Sequence, residues 1–364
     1  MSIPEPTPGP LPGPTPGPAP EPTPGPIPGP LVKVTDLRTH FPVGGGLLSR
    51  LQGKRNVVHA LDGVSVEIAP RRTLAVIGES GSGKSTMGRS ILRLEEPTAG
   101  SVAFRGRDIT SLGREELRRE RQHMQMVFQN PYSSVNRRNR LIDIIAEPLR
   151  VHGIGDAASR RARAVELLDL VGLNPDFLHR YPHEVSGGQL QRIGIARALA
   201  TGPEFLVADE PTASLDVSVR AQVMNLLRDL KDELGLTLMF ISHDLAVVSY
   251  IADEIAVMYL GRIVEMGTKE QLESNPQHPY TKALFAAAPK PDPRQRKTQS
   301  APLGEVPNAI HRPPGCHYAP RCPIATTLCT EEYPALERKE SGQLVACHLV
   351  EPAVEARGTV TSSA

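Results

Sequence analysis

Short apolar segments recur along the chain in two patterns. In the first pattern apolar and polar positions alternate, which predicts strands with one exposed face. It is present in LVKVTDL (31–37), VSVEI (64–68) and GSVAFRG (100–106). The second pattern, a continuous apolar run, is present in TLAVIG (73–78), FLVADE (205–210) and LTLMFISHD (236–244). Continuous runs indicate parallel strands that are buried on both faces.

Segments with helical periodicity lie between these strands. Examples are RARAVELLDLVG (161–172) and VRAQVMNLLRDLKDELG (219–235), and each ends on a glycine, a common helix terminator. Asp216 stands just before the second segment as a candidate N-cap. Strands that alternate with helices predict an α/β fold.

The two ends of the chain differ in composition from this central part. Every even-numbered residue from Pro4 to Pro30 is proline, so we expect residues 1–30 to form an extended, disordered arm, either a spacer or a ligand of proline-recognition domains. Residues 31–270 have a globular composition. Proline and cysteine then become frequent, which predicts a small second domain over 271–350, including one helix at YTKALFAAA, and a flexible tail over 351–364.

Charge and hydropathy exclude some classes of protein. The chain has 41 Lys and Arg residues against 40 Asp and Glu, a formal charge of +1, so no overall basic field would recruit nucleic acid. No run approaches the roughly 20 apolar residues of a spanning helix, and residues 1–30 do not resemble a secretion signal. We therefore expect a cytoplasmic chain, in which clustered cysteines are more often metal ligands or free thiols than disulfides.

One segment fits a phosphate-binding pattern. VIGESGSGKST (76–86) matches G-x-x-x-x-G-K-[ST] and lies between an apolar strand and a helix-like segment. Its glycines let backbone N–H groups converge on a phosphate, and the helix start adds positive potential. We expect Lys84 to neutralise the β and γ phosphates and Ser85 to hold Mg²⁺. The candidate nucleotide-binding residues are Gly78, Glu79, Ser80, Gly81, Ser82, Gly83, Lys84, Ser85 and Thr86.

A second candidate anion site lies at the start of another predicted helix. In VSGGQLQR (185–192) the residues at the helix start are Ser186, Gly187, Gly188 and Gln189. Backbone N–H groups and the helix dipole can bind phosphate there as well. Taken alone, such a segment is also typical of an ordinary helix cap.

Polar residues that follow three apolar strands complete the candidate site. Asp209, at the end of FLVAD, can reach Mg²⁺ through water, and the adjacent Glu210 can position or deprotonate an attacking water. His243, after LMFIS, is suited to contact the γ-phosphate, and Gln129, after MVF, can contact both metal and γ-phosphate. Each of these residues, taken alone, is also consistent with an ordinary strand end.

The order GESGSGKST, FQ, VSGGQ, FLVADEP, ASLD and ISHD resembles the nucleotide-binding subunit of ATP-binding cassette (ABC) transporters over residues 31–270. The resemblance implies an α/β phosphate-loop core, an antiparallel β subdomain, and a helical subdomain over about 131–196. It also implies head-to-tail dimers, in which residues 186–189 of one subunit close over ATP held by residues 78–86 of the other.

The resemblance also implies individual roles. Gln129 maps onto the family's switch residue, Asp209 onto its metal-side aspartate, Glu210 onto its catalytic glutamate and His243 onto its γ-phosphate histidine. The interface loop maps onto Ser214, Leu215 and Asp216. Val185 replaces the usual leucine before the serine, and the adenine-stacking aromatic is replaced by Arg55, with Phe41 and His59 as other candidates. An arginine plane can stack on a base by cation–π contact.

The C-terminal part resembles a particular branch of the family. NPQHPYTKAL and PPGC, with HFPV, ALDGV, FQNPY, DVSVRAQV and YLGRIVE upstream, resemble the dipeptide-type ATPases of oligopeptide and dipeptide importers over residues 31–350. In that branch a four-cysteine tail is associated with an iron–sulfur cluster, and here the four thiolates are Cys316, Cys322, Cys329 and Cys347. The spacing lacks the C-x2–4-C element common in zinc sites. A four-iron four-sulfur cluster is our hypothesis, with zinc, free thiols and disulfides as alternatives.

The resemblance implies an ATP-hydrolysing subunit of a peptide importer at the cytoplasmic face of the membrane. Its implied partners are a second ATPase, usually a paralogue, two membrane permeases and a periplasmic or extracellular peptide-binding protein, with no nucleic acid. Importers of nickel, haem or opines are alternatives. A soluble ABC ATPase of DNA repair or translation typically inserts a coiled coil, but the 56 residues between Gln129 and Ser186 contain no heptad run.

Overall fold

A computed structural model describes residues 29–43, 56–287 and 309–351. The predicted arm, the tail and Arg55 fall largely or wholly outside these ranges. One of the two sheets is antiparallel, with the strand order β2-β1-β4-β5. Its strands are β1 (Val32–Val43), β2 (Asn56–Ile68), β4 (Ala99–Phe104) and β5 (Arg107–Asp108). Three of these contain the alternating segments, so that prediction is confirmed.

The second sheet has the order β11-β12-β10-β9-β3-β8-β7-β6. Its strands are β3 (Thr73–Ile77), β6 (Met124–Val127), β7 (Phe205–Asp209), β8 (Thr237–Ile241), β9 (Glu254–Tyr259), β10 (Arg262–Thr268), β11 (Glu337–Arg338) and β12 (Leu344–Val345). The neighbours from β9 through β6 are parallel, and the remaining pairs are antiparallel. The parallel part therefore contains all of the continuous apolar runs.

Both faces of the parallel strands are covered by packed side chains. In β3, Ala75 and Ile77 belong to one hydrophobic cluster, whereas Leu74 and Val76 belong to a second. All five residues of β3, of β7 and of β8 are buried. Burial on both faces explains why these segments lack polar alternation.

The helices lie between and around the strands. They are α1 (Lys84–Ile91), α2 (Arg114–Arg121), α3 (Leu141–His152), α4 (Ala157–Leu170), α5 (Gly187–Leu199), α6 (Val217–Leu234), α7 (Leu245–Ile251), α8 (Lys269–Ser274), α9 (Pro279–Ala287) and α10 (Thr327–Glu331). Helices α3, α4 and α5 contact one another and form the region predicted to be helical. In the described part of the chain, no helix is both long and apolar enough to cross a bilayer.

Local signals account for several helix ends. Helix α6 ends at Gly235 in a left-handed conformation, with φ 65°, which glycine adopts without steric cost. Asp216 occupies the N-cap position of α6, but its side chain makes no capping hydrogen bond. Helix α4 begins instead with a complete capping box between Asp156 and Ser159.

The C-terminal region is joined to the larger sheet. Strand β12 pairs with β10 through Glu265 and Met266, and β11 pairs with β12. Helix α8 spans the predicted boundary between residues 270 and 271. Tyr280 and Tyr318 are buried in the same hydrophobic cluster as residues of the parallel strands β3, β7 and β8. The residues beyond 270 therefore extend the sheet and its core.

Candidate functional site

A tight glycine-rich loop connects β3 to α1. Gly78 has φ 152°, and a Cβ atom there would lie 2.2 Å from the carbonyl oxygen of Met258. Gly83 has φ 103°, and its Cβ would lie 2.3 Å from the carbonyl oxygen of Ala60. Side chains at either position would clash with backbone, so the glycines allow the loop to fold closely against β9 and β2.

The Lys84 amine is held by this loop. Its Nζ donates hydrogen bonds of 2.8 Å to the carbonyl oxygens of Gly78 and of Glu79. Lys84 is only 5% exposed. Burial lowers the pKa of Lys84, while the carboxylates of Glu210, Asp209 and Glu79 raise it. A cation in this position is available to neutralise a bound anion.

Asp209 and Ser85 meet at the end of β7. The Ser85 hydroxyl donates a 2.7 Å hydrogen bond to Oδ1 of Asp209. Asp209 is 1% exposed, its Oδ2 has no hydrogen-bond partner, and the Arg89 guanidinium lies 3.9 Å from that oxygen. Burial raises the pKa of Asp209. A buried carboxylate oxygen without a partner, beside a hydroxyl, fits the oxygen ligands that Mg²⁺ prefers.

The Glu210 carboxylate contacts side chains that follow two neighbouring strands, β6 and β8. Gln129, after β6, donates a 2.8 Å hydrogen bond from Nε2 to Oε2 of Glu210. His243, after β8, places Nδ1 3.1 Å from Oε1 of Glu210. The carboxyl ends of parallel strands β6, β7 and β8 therefore bring together three of the residues predicted from sequence.

Lys84, Ser85, Gln129 and Glu210 border an open cleft with a volume of about 230 Å³, whereas Asp209 and His243 do not line it. The lining residues are Val58, Ala60, Ser80, Gly81, Gly83, Lys84, Ser85, Thr86, Gln129, Glu210 and Ala309. The sequence-predicted Phe41 and His59 do not line it, and His59 faces a separate cavity with Arg262 and Arg312. From β2 the cleft is lined by Val58 and Ala60, which have no aromatic ring.

Residues 186–189 lie apart from this cleft within the single chain. Ser186 caps α5: its Oγ accepts from the Gln189 N–H at 3.3 Å, and the Gln189 Oε1 accepts from the Ser186 N–H at 2.9 Å. A Cβ on Gly188 would lie 2.4 Å from Cγ1 of Val219, so α5 packs closely on α6. None of the four residues lines the cleft beside Lys84.

The four cysteines line one small cavity. Cys316, Cys322, Cys329 and Cys347 surround it together with His278, Tyr318 and His348, and the four cysteines form no disulfide with one another. Burial raises the pKa of Cys316 to about 11, and it also raises the pKa values of Cys322 and Cys347. The structure therefore brings together the cysteines that the sequence singled out.

The cysteine sulfurs are not tightly gathered. Among the described residues, one group of three has ligand atoms that all lie within 4.8 Å of one another. It consists of His40, His59 and Asp62 and includes no cysteine. Burial alone would raise the pKa of Asp62, but hydrogen bonds from Arg262 and Arg312 hold it well below its usual range. Two guanidinium groups on the same carboxylate disfavour a cation there.

Sequence reasoning missed two contacts of the phosphate loop. The Glu79 N–H donates to the Tyr280 hydroxyl at 2.9 Å, and Arg321 donates to both carboxylate oxygens of Glu79 at 2.8 and 3.0 Å. These partners are 201 and 242 residues away in sequence. No local spacing in the sequence connects them.

Comparisons with known proteins match the chain along most of its length. Residues 61–213 match the ABC transporter family, and residues 264–329 match the C-terminal region of oligopeptide and dipeptide transporters. The dipeptide transport ATP-binding protein DppF of Haemophilus influenzae is 49% identical over 317 residues, which cover 87% of this chain and 96% of the relative. The oligopeptide transport ATP-binding protein AppF of Bacillus subtilis is 45% identical over 322 residues, 88% of this chain and 97% of the relative.

Among solved structures, the dimeric post-hydrolysis state of the ATP-binding cassette MJ0796, bound to ADP and Pi, is similar to this chain. It superimposes with a TM-score of 0.58 at 30% sequence identity. The match covers 65% of this chain and 98% of that one.

Proposed function

We propose that this chain, which belongs to the ATP-binding cassette transporter family with the C-terminal region of oligopeptide and dipeptide transporters, is the ATPase subunit that powers uptake of di- and oligopeptides. The observation that carries the proposal is the cleft lined by the glycine loop, Ser85 and Glu210, with Asp209 hydrogen-bonded to Ser85. The names of the relatives support the peptide cargo.

Within this cleft we assign roles to individual side chains. Lys84 and the loop N–H groups bind the β and γ phosphates of ATP, and Ser85, Asp209 and Gln129 would hold Mg²⁺. The metal would supply charge neutralisation at the phosphate oxygens. Glu210 orients and deprotonates the attacking water, a role supported by its contacts with Gln129 and His243. His243 contacts the γ-phosphate.

Residues 186–189 contribute to the nucleotide site of a second ATPase subunit. Residues 186–189 do not line the cleft of their own chain, which supports this assignment. If this helix start binds a phosphate, the nucleotide must be held by another subunit. The dimeric cassette structure that resembles this chain is consistent with it. The second subunit is a paralogue of this chain. The adenine ring of ATP stacks on the guanidinium group of Arg55.

We assign the remaining partners from family membership. The pair of ATPases binds two membrane permeases at the cytoplasmic face, and a peptide-binding protein outside the membrane delivers the cargo. Dimer closure on ATP and reopening after hydrolysis drive the permeases.

A purification experiment tests this function. Detergent extraction of the tagged chain should recover two polytopic permeases, and the complex should hydrolyse ATP faster when a peptide-loaded receptor is added. Lys84→Ala should abolish turnover but keep the permeases. ATPase activity that responds only to DNA or ribosomes would refute the proposal.

We further propose that the four cysteines hold a four-iron four-sulfur cluster. All four cysteines line one small cavity, which supports a single group bound by the four sulfurs. Binding requires deprotonation of thiols whose pKa values burial raises, so the ligated group must stabilise the thiolates.

Metal analysis of anaerobically purified protein tests the cluster. The sample should be brown and contain about four iron atoms per chain. Cys329→Ser should lose the colour and the iron, whereas Thr326→Ser, which keeps the hydroxyl near the Cys329 sulfur, should retain both. Colourless protein with one zinc ion would contradict the cluster and leave the ATPase proposal standing.

A further inference from the structure

The C-terminal region contacts the phosphate loop through a buried ion pair. Arg321 belongs to the 3₁₀ turn Ala319–Arg321, which lies between Cys316 and Cys322. Its two terminal nitrogens donate to the two carboxylate oxygens of Glu79 at 2.8 and 3.0 Å. The Arg321 side chain is 5% exposed and the Glu79 side chain 24%, so water screens this bidentate pair only in part.

Tyr280 fixes the same residue through the backbone. Its hydroxyl accepts the Glu79 N–H at 2.9 Å, and its side chain is fully buried. The ring of Tyr280 packs against Tyr259 and Tyr318, and the Tyr259 hydroxyl accepts from Arg321 at 3.2 Å. Aromatic contacts and hydrogen bonds thus hold both partners of Glu79 in place.

The charge of Glu79 matters for nucleotide binding. Its carbonyl oxygen accepts a hydrogen bond from Lys84, and its carboxylate is close enough to raise the pKa of Lys84. An uncompensated carboxylate on a loop that binds phosphate would repel the nucleotide and compete for the lysine. Arg321 compensates this charge by donating to both oxygens of the Glu79 carboxylate.

We propose that Arg321 and Tyr280 are positioning residues for ATP binding, through which the cysteine-bearing region sets the nucleotide affinity of the phosphate loop. The proposal rests on the nucleotide site described under the proposed function. Neither side chain lines the cleft, so both act through Glu79. The effect belongs mainly to binding, because the side chains assigned to the attacking water, those of Gln129, Glu210 and His243, follow strands β6, β7 and β8.

Calorimetric titration of the full chain with MgADP tests the proposal. Arg321→Met should raise Kd by about tenfold or more, since one partner of a buried charge pair is removed. In steady-state assays KM for ATP should rise similarly, while kcat changes by less than about threefold. Tyr280→Phe should raise Kd by a smaller factor, because one neutral hydrogen bond is removed.

Arg312→Met is the matched control. Arg312 also comes from the C-terminal region and donates to a cassette carboxylate, Asp62, at 2.9 Å, but it does not contact the phosphate loop. Its Kd for MgADP should stay within about twofold of the parent value. An equal increase in both arginine variants would show a general structural effect and overturn the proposal.

A second substitution separates charge from folding. Adding Glu79→Gln to Arg321→Met removes the uncompensated carboxylate, so Kd should return most of the way towards the parent value. Arg321→Lys should give an intermediate Kd, because lysine keeps the charge but loses the bidentate geometry. Unchanged MgADP affinity in Arg321→Met would overturn the proposal. So would a loss of affinity that follows the metal content of the samples and is not relieved by Glu79→Gln.

The parent protein distinguishes the two levels of inference. If the parent chain binds no MgADP, the proposed ATPase function fails. If the parent chain binds it and Arg321→Met binds it equally well, only the positioning role fails.

Discussion

Glu210 combines an unusual backbone with a well-held carboxylate. Its φ is 44°, a left-handed conformation that costs a residue with a side chain on the order of 1 kcal/mol. Its N–H donates to the Ile241 carbonyl, and its two oxygens contact Gln129 and His243. The strand-end geometry thus directs one carboxylate into the cleft at a small cost in stability.

Replacing this carboxylate should affect turnover far more than binding. We expect Glu210→Gln to lower kcat about 100-fold or more, because the amide cannot accept a proton from water. Kd for MgATP should change little. Phosphate release and calorimetry measure the two quantities, and the exposed Glu96→Gln is the control. Normal turnover in Glu210→Gln would contradict the assigned role.

His278 should make stability depend on pH. Burial lowers the pKa of His278 to about 3, and its Nδ1 accepts the Tyr280 N–H, so the folded state holds it neutral. The unfolded chain takes up a proton below about pH 6.5, which favours unfolding by roughly 1.4 kcal/mol per pH unit. The free energy of unfolding should therefore fall as pH drops from 7 to 5.

The variant His278→Asn isolates this contribution. The asparagine side chain can accept the same hydrogen bond but does not titrate, so the difference in unfolding free energy between parent and variant should shrink at low pH. Urea unfolding followed by circular dichroism measures it, since the chain has no tryptophan. A parallel pH dependence in the two proteins would show that His278 does not contribute.

The sequence predicted those site residues whose positions are set by the adjacent strand or helix. Asp209 ends the apolar strand β7 and Glu210 follows it, while Lys84 begins the helix after the glycine-rich loop that follows β3. The ends of adjacent parallel strands necessarily meet. Tyr280 and Arg321 were not predictable in this way, because their contacts with Glu79 are tertiary and span more than 200 residues. The neighbours of Asp62 escaped prediction for the same reason: they come from β1, β10 and the C-terminal region.

Among the secondary-structure elements, burial pattern decided what could be predicted. Strands β3, β7 and β8 are buried on both faces, so an apolar run identified each of them. Strands β11 and β12 have only two residues each and form by pairing, β12 with β10 and β11 with β12, so no run of apolar residues indicated them. The extension of the sheet by the C-terminal region was therefore not apparent from sequence.

The packing of α5 on α6 requires a glycine. Gly188→Ala would place a Cβ atom 2.4 Å from Cγ1 of Val219, and we expect a loss of roughly 1–3 kcal/mol in unfolding free energy. Adding Val219→Ala removes that atom and leaves the nearest contact at 3.7 Å, so most of the loss should be recovered. Urea unfolding of the two single variants and the double variant measures the coupling. Additive losses would contradict this packing constraint.

For the whole molecule, the proposed head-to-tail pair predicts nucleotide-dependent assembly. With MgATP, Glu210→Gln mixed with the second ATPase subunit should elute from gel filtration at twice the monomer mass, because closure is not followed by hydrolysis. Adding Ser186→Arg should prevent this, since a long side chain would block the start of α5. Elution that is independent of MgATP, or unaffected by Ser186→Arg, would contradict the arrangement.

The pairing of β12 with β10 has a consequence for shortened forms of this protein. A chain ending at residue 287 would leave the backbone of Glu265 and Met266 without its antiparallel neighbour, along a strand whose Ile263 and Val264 are buried. Unpaired apolar edges recruit strands from other molecules. We therefore expect a chain trimmed to residues 1–287 to aggregate more readily than the full chain, because the cysteine-bearing region covers this edge.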